Sequence, residues 1–144
     1  MTAKEYLKRL YNLDVRMKAR YAQIATLKDR AAKATGAATA LRTSGTPAHS
    51  KLEEAVCAYA GLQDELEADI HRFIQLRHEI RDVIDKVDNP DHKVLLEYRY
   101  LCFMSWEKIA VSMNYSWQWV HKLHGRALQS IDKQAIEGEC QPVL

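Results

Sequence analysis

The chain has 144 residues and a mass of 16.6 kDa, room for one ordinary domain or a small module with a long helical arm. With 47% hydrophobic and 28% charged residues, and only 5 glycines and 3 prolines, it is neither disordered throughout nor a turn-rich all-β protein. A net charge of +2 is too mild to announce nucleic-acid binding, and the absence of any run of 18 apolar residues excludes a membrane-spanning helix. The amino-terminal stretch has no apolar signal core, so secretion is not expected. Cys57, Cys102 and Cys140 are odd in number and widely spaced, which fits reduced thiols in a cytoplasm.

Charge by segment is more informative. Residues 1–34 carry nine basic and three acidic side chains, a local charge of +6, whereas residues 47–88 carry five basic and ten acidic ones, a charge of −5. A basic segment followed by an acidic one suits two helices that pack on each other. Thr2 and Glu5 have the spacing of a capping box. Behind them Tyr6, Leu10, Leu13, Met17, Ile24 and Leu27 form one stripe of a long helix. Residues 35–46, small and polar with two glycines, are expected to be a mobile loop.

Thr46-Pro47 restarts a helix, with Thr as cap and Pro at the first helical position. Leu52, Tyr59, Leu66, Phe73, Ile80 and Val87 repeat every seven residues, and Val56, Gln63, Ile70, Arg77 and Ile84 form a second column. Leu62, Leu76 and Val83 widen that seam. The expectation is an antiparallel helical hairpin or coiled coil over residues 1–88. It would oligomerise through Leu52, Val56, Tyr59, Leu66, Ile70, Phe73, Ile80 and Ile84, with Gln63 and Arg77 fixing register. Acidic residues such as Asp64, Glu65, Glu67 and Asp69 are expected on the solvated outside.

Asn89-Pro90 marks a helix start and a domain boundary at 88–90. Seven of the twelve aromatic residues fall within 98–119, as a small core of large side chains requires. Residues 89–133 read as three short helices: about 91–102, then one capped by Ser105 through Met113, then one capped by Ser116 through Ile131. Asn114 suits the tight turn because it tolerates the left-handed conformation. Residues 134–144 are expected to be frayed. At about 100° per residue, Val120, Leu123, Ala127 and Ile131 share the inward side of the last helix. Gln118, Lys122 and Gly125 lie opposite, flanked by Trp119, His121 and Arg126. Gln can pair with an adenine edge, Lys with guanine or phosphate, and glycine admits close approach of a backbone. Ser116 at the helix start, His121 and Arg126 are candidates for phosphate contacts.

The stretch RYLCFMSWEKIAVSMNYSWQWVHKLHGRAL (Arg99–Leu128) resembles region 4 of sigma-70-type factors. With DNPDHKVLLEYRYL before it and a helical arm ahead of that, the chain is similar to phage and prophage transcriptional regulators of the RinA/ArpU type. That resemblance implies an all-α protein in which a long helical hairpin precedes a three-helix, sigma-region-4-like helix-turn-helix. It implies a cytoplasmic DNA-binding regulator of late phage genes in a bacterial host. Trp117, Gln118 and Lys122 would face bases, and His121 and Arg126 phosphates. Phe103 and Asn114 depart from the sigma pattern, standing where that pattern carries glycine, so the first inter-helix turn is expected to differ in shape.

Double-stranded DNA and a second copy of the chain are thus the expected partners, and RNA polymerase is a further one that an exposed Trp119 would suit. Two other readings stay open: a small terminase subunit, which also joins a helix-turn-helix to an oligomerising helical region, and a protein-interaction module contacting RNA polymerase. No nucleophile elbow, Walker loop, HExxH or glycine-rich phosphate turn is present, so no enzyme activity, cofactor or membrane partner is expected. His121 and His124 have metal-ligand spacing without a supporting Cys or carboxylate, and His71 and His78 fit a solvated face, so no metal site is expected either.

Overall fold

The computed structural model describes residues 1–40 and 47–139, with side chains over 1–33 and 51–134. Every regular element among them is helical. The elements are α1 (Ala3–Ala40), α2 (Pro47–Asp85), α3 (Pro90–Leu96), which runs on as a π-helical turn over Glu97–Leu101, α4 (Trp106–Met113) and α5 (Trp117–Glu139). None of these helices is long and apolar enough to cross a membrane.

The start of α1 is fixed by local chemistry. The Thr2 N–H donates to Glu5 Oε2 at 2.8 Å and the Glu5 N–H to Thr2 Oγ1 at 3.2 Å, so the expected capping box forms. The helix then continues through Gly36 to Ala40, where the sequence suggested a loop. Alanines at 31, 32, 34, 37, 38 and 40 have the best helix propensity of any residue and offset the ~1 kcal/mol cost of one glycine. The remainder of that expected loop, 41–46, including the Thr46 cap, lies outside the described residues, as do Cys140 and the last four residues of the expected frayed tail. The beginning of that tail is helical, because α5 extends to Glu139.

The chain divides into two compact units, Met1–Asn12 with Phe73–Leu144, and Leu13–Arg72. The division falls within the long helices, not at 88–90 where the composition changes.

In the second unit, contacts that advance along α1 retreat along α2. Arg16 meets Asp69, Arg20 meets Glu65 and Asp69, and Lys28 lies 5.5 Å from the Tyr59 ring centre. Asp69 is fully buried and is the hub: Arg16 Nη2 is 2.6 Å from its Oδ1, Arg20 reaches Oδ2, and Arg72 stands 3.4 Å away. The sequence pattern places this carboxylate on the solvated outside, but the two arginines opposite it bring it into the interior. Hydrogen bonding from Arg16 holds its carboxyl below the usual range against the opposing effect of burial.

The expected second column of the seam is inward only at Ile84 and, in part, Ile70. Ala55, Leu62, Asp69, Leu76 and Val83 turn inward with Leu66, Ile80 and Val87, whereas Val56 is 54% exposed and Gln63 and Arg77 are exposed. Of the eight positions expected to oligomerise, Leu66, Ile80 and Ile84 are buried and Leu52, Tyr59, Ile70 and Phe73 half-buried; only Val56 stands well out. The polar device at the seam is Asp69 with its arginines, and neither Gln63 nor Arg77 takes that part.

In the first unit, Ala3, Leu7 and Leu10 of α1 and Leu76, Ile80, Ile84 and Val87 of the α2 region are buried. The Ala3 N–H donates to Asp132 at 3.2 Å, tying α1 to α5, and the Tyr11 and Phe103 rings meet edge to face at 5.6 Å. Asn89 Oδ1 accepts from the Asp91 and His92 N–H groups and starts α3 as its sequence implied.

Candidate nucleic-acid interface

The last two helices are set by two serines and one asparagine. Ser105 Oγ accepts from the Lys108 N–H at 3.3 Å at the start of α4, and Ser116 Oγ accepts from the Trp119 N–H at 3.2 Å at the start of α5. Between them Asn114 adopts φ 57°, ψ 42°. Its N–H donates to the Val111 carbonyl and the Tyr115 N–H to the Ala110 carbonyl, the paired bonds that close a helix with a left-handed residue. α4 therefore stops in one residue, and α5 leaves two residues later in a new direction.

Leu95, Ile109, Ala110, Val120 and Leu123 form the core between α3, α4 and α5, with Tyr98, Met104, Trp106, Met113 and Tyr115 packed around it. Ala127 and Ile131 are buried farther along α5. Fully burying side chains the size of Val120, Leu123 and Ile131 contributes about 1.5–3 kcal/mol each, which anchors α5 from behind.

The opposite side of α5 is open. Gln118, Lys122 and Gly125, at i, i+4 and i+7, are exposed, and neither Gln118 nor Lys122 has a protein partner among the described residues. A Cβ built on Gly125 would meet nothing within 4 Å. Trp117 is 54% and Trp119 37% exposed, and the Arg126 guanidinium lies 5.4 Å from the Trp119 ring centre. The structure thus gathers Trp117, Gln118, Trp119, Lys122, Gly125 and Arg126 on accessible surface.

Two of the singled-out residues are engaged elsewhere. The Ser116 hydroxyl is committed to its cap. His121 is half-buried between Trp106, 4.6 Å away, and Trp117, 4.1 Å away, and its Nε2 is enclosed without a hydrogen-bond partner. Its first role in this structure is to link the α4 and α5 rings.

A buried polar pair went unnoticed in the sequence. His124 is 7% exposed and its Nε2 is 2.7 Å from the Tyr100 hydroxyl. Burial pushes the imidazole down to about 4, helped by the positive charges of Lys4, Arg99 and His121, and pushes the Tyr100 phenol up to about 12. At about 40° from Val120 on the helix wheel, His124 falls on the inward side of α5, a signal the sequence did contain. Arg99 is the other such residue: its guanidinium lies 4.3 Å from the Trp106 ring centre while Nη1 donates to the Met104 carbonyl at 2.9 Å.

Among the described residues only Phe103 and Asn114 combine a side chain with positive φ, 55° and 57°. These are the two positions at which the sequence departs from the sigma-70 region 4 pattern by replacing glycine. The left-handed conformation costs an ordinary L-residue about 1–2 kcal/mol, less for Asn, so both turns keep a shape that glycine would adopt without strain.

A family model described as "Protein of unknown function (DUF1492)" matches residues 45–132, more than half of the chain. No curated protein and no solved structure matches it.

Proposed function

The chain belongs to the DUF1492 family, and we propose that this member is a sequence-specific DNA-binding transcriptional regulator of late phage or prophage genes, acting as an oligomer. α4, the Asn114 turn and α5 then serve as a sigma-region-4-like helix-turn-helix, with α5 in the major groove. The observation that carries this reading is the division of α5 into two sides. Val120 and Leu123 are buried, while Gln118 and Lys122 stand open with their side-chain donors unspent and Gly125 faces open space. The left-handed backbone at both glycine positions of the sigma pattern supports the same fold assignment.

In this reading Trp117 and Gln118 face base edges, Lys122 reaches guanine or phosphate and Arg126 phosphate, while Trp119 packs on the sugar backbone. α1 and α2 form the hairpin that joins copies. In the unit holding Asp69, Val15, Tyr21 and Val56 are about half exposed, apolar surface that a second copy would cover. Two linked readers raise the effective concentration of each for its half-site.

Gly125 separates function from stability. In the free protein Gly125→Leu meets open space and gains about 1 kcal/mol of helix propensity. On duplex DNA the added side chain occupies the line of closest backbone approach. The expected result is a higher melting temperature together with at least about a tenfold loss of duplex affinity, read by calorimetry and a binding titration. Unchanged affinity would remove this side of α5 from the interface.

One observation favours a protein partner in addition. Val111 on α4 is 81% exposed, an apolar side chain that the DNA-facing reading of α5 leaves unused. RNA polymerase is the partner in this second reading, and a shallow salt dependence of DNA affinity would mark it.

A further inference from the structure

A second surface lies beside the reading face. A cavity of about 490 Å³ is lined by Lys4 and Lys8 from one face of α1 together with Arg99, Phe103, Ser105 and Trp106. No carboxylate contributes to its lining. Lys4 and Lys8 are exposed, and neither has an ion-pair partner among the described residues. Arg99 spends one N–H on the Met104 carbonyl and rests on the Trp106 ring, so its charge is placed but not neutralised. The positive field is felt nearby, since Lys4 and Arg99 both oppose protonation of His124. Ser105 brings the amino end of α4 to the same cavity, adding the positive end of a helix to three cations. Phe103, another wall, is one of the two residues held in the left-handed conformation.

The occupant these features suit is an anion. The rings of its wall are engaged with other groups, Tyr11 edge to face with Phe103 at 5.6 Å. Tyr100 is buried, and Trp106 already meets the Arg99 guanidinium and both the His121 and His124 rings. Ring contacts connect the wall of the cavity to the α5 face, because Trp106 lines it and abuts His121, which abuts Trp117. A duplex lying along Gln118, Lys122 and Gly125 therefore brings phosphates past this edge.

We propose that this groove holds the phosphodiester backbone of duplex DNA next to the bases read by α5, with Lys4 and Lys8 as its phosphate-pairing groups. The proposal rests on the reading of α5 as the DNA-facing helix. It assigns to the first turns of α1 a contact with DNA in addition to their part in the fold.

The test is a salt titration of duplex binding by the full chain. It compares wild type, the double variant Lys4→Gln/Lys8→Gln, and a control of equal charge loss, Lys33→Gln/Lys51→Gln, taken from the other unit. Each phosphate contact contributes about 0.9 to the slope of log affinity against log salt. The groove variant is expected to show a slope shallower by about two and roughly tenfold weaker binding at moderate salt, with base preference unchanged. The control is expected to keep the wild-type slope. Both groove lysines are exposed, and circular dichroism with an unchanged melting temperature verifies that the variant is folded. A wild-type slope in the groove variant, while Gln118→Ala still alters base preference, overturns the groove and leaves the α5 reading intact. Adenosine monophosphate binding that is lost in the groove variant while its DNA slope stays at the wild-type value overturns it as well. No duplex binding by wild type overturns both.

Discussion

Lowering the pH from 7 to 4 is expected to destabilise the unit that carries α4 and α5 by about 3 kcal/mol through His124 alone. The imidazole sits beside Tyr100 with its pKa at about 4, against an ordinary 6.5. Below 6.5 the unfolded chain binds a proton that the folded chain refuses. The unfolded state therefore holds more protons, and stability falls as pH falls. The loss begins near 6.5, approaches about 1.4 kcal/mol per pH unit, and levels off once the folded form also protonates near 4. Denaturant melts of wild type and His124→Gln at pH 7, 6 and 5 test this. The variant starts less stable but should lose most of the slope across this range, which lies above the ordinary carboxylate range. An equal slope in both would show that His124 is not the titrating group.

Asp69→Ala is expected to destabilise the unit spanning residues 13–72 by about 2–3 kcal/mol. The variant removes the common acceptor of Arg16, Arg20 and Arg72. Breaking a buried ion pair from one side costs about 3–5 kcal/mol when the orphaned charge stays buried. Here the Arg16 side chain is 50% exposed and can turn to water, whereas Arg20, at 21%, is more confined, which puts the effect at or just below the bottom of that range. The triple variant Asp69→Leu/Arg16→Met/Arg20→Met removes the charges together and is expected to regain most of the loss. Amide exchange in α1 and α2 reads both results locally. Equal stability of wild type and Asp69→Ala would mean that the cluster is a surface ornament despite its burial. Asp69 loses its contribution as pH falls from the ordinary carboxylate value through its own lowered pKa, so acid removes most of it after the His124 slope has developed.

The helical content, the capping box at Thr2, the start of α3 at Asn89, the Asn114 turn and the inward row Val120, Leu123, Ala127 and Ile131 were all legible in the sequence. Each rests on local chemistry or on a period of 3.6, which a single sequence carries. What was not legible depended on partners distant in the chain. Asp69 reads as a solvated carboxylate until Arg16 and Arg20 are placed opposite it, and nothing local marks Val56, Gln63 and Arg77 as the exposed members of their column. Gly36 reads as a loop residue until the alanines around it are weighed as a group. Lys4 and Lys8 read as part of the basic segment suited to packing on the acidic helix, and only the fold brings them to Arg99 and Trp106. On α5 the sequence separated inward from outward residues well, but gave His121 to phosphate where the structure packs it between two tryptophans.

The most direct test of the account is selection of bound duplexes from a random pool by wild type, Gln118→Ala and Lys122→Ala. Wild type should enrich one motif. Each variant should lose about 1–3 kcal/mol of discrimination at a particular base position while melting at the wild-type temperature. The same motif at the same affinity from all three proteins would contradict the assignment of this face of α5 to DNA.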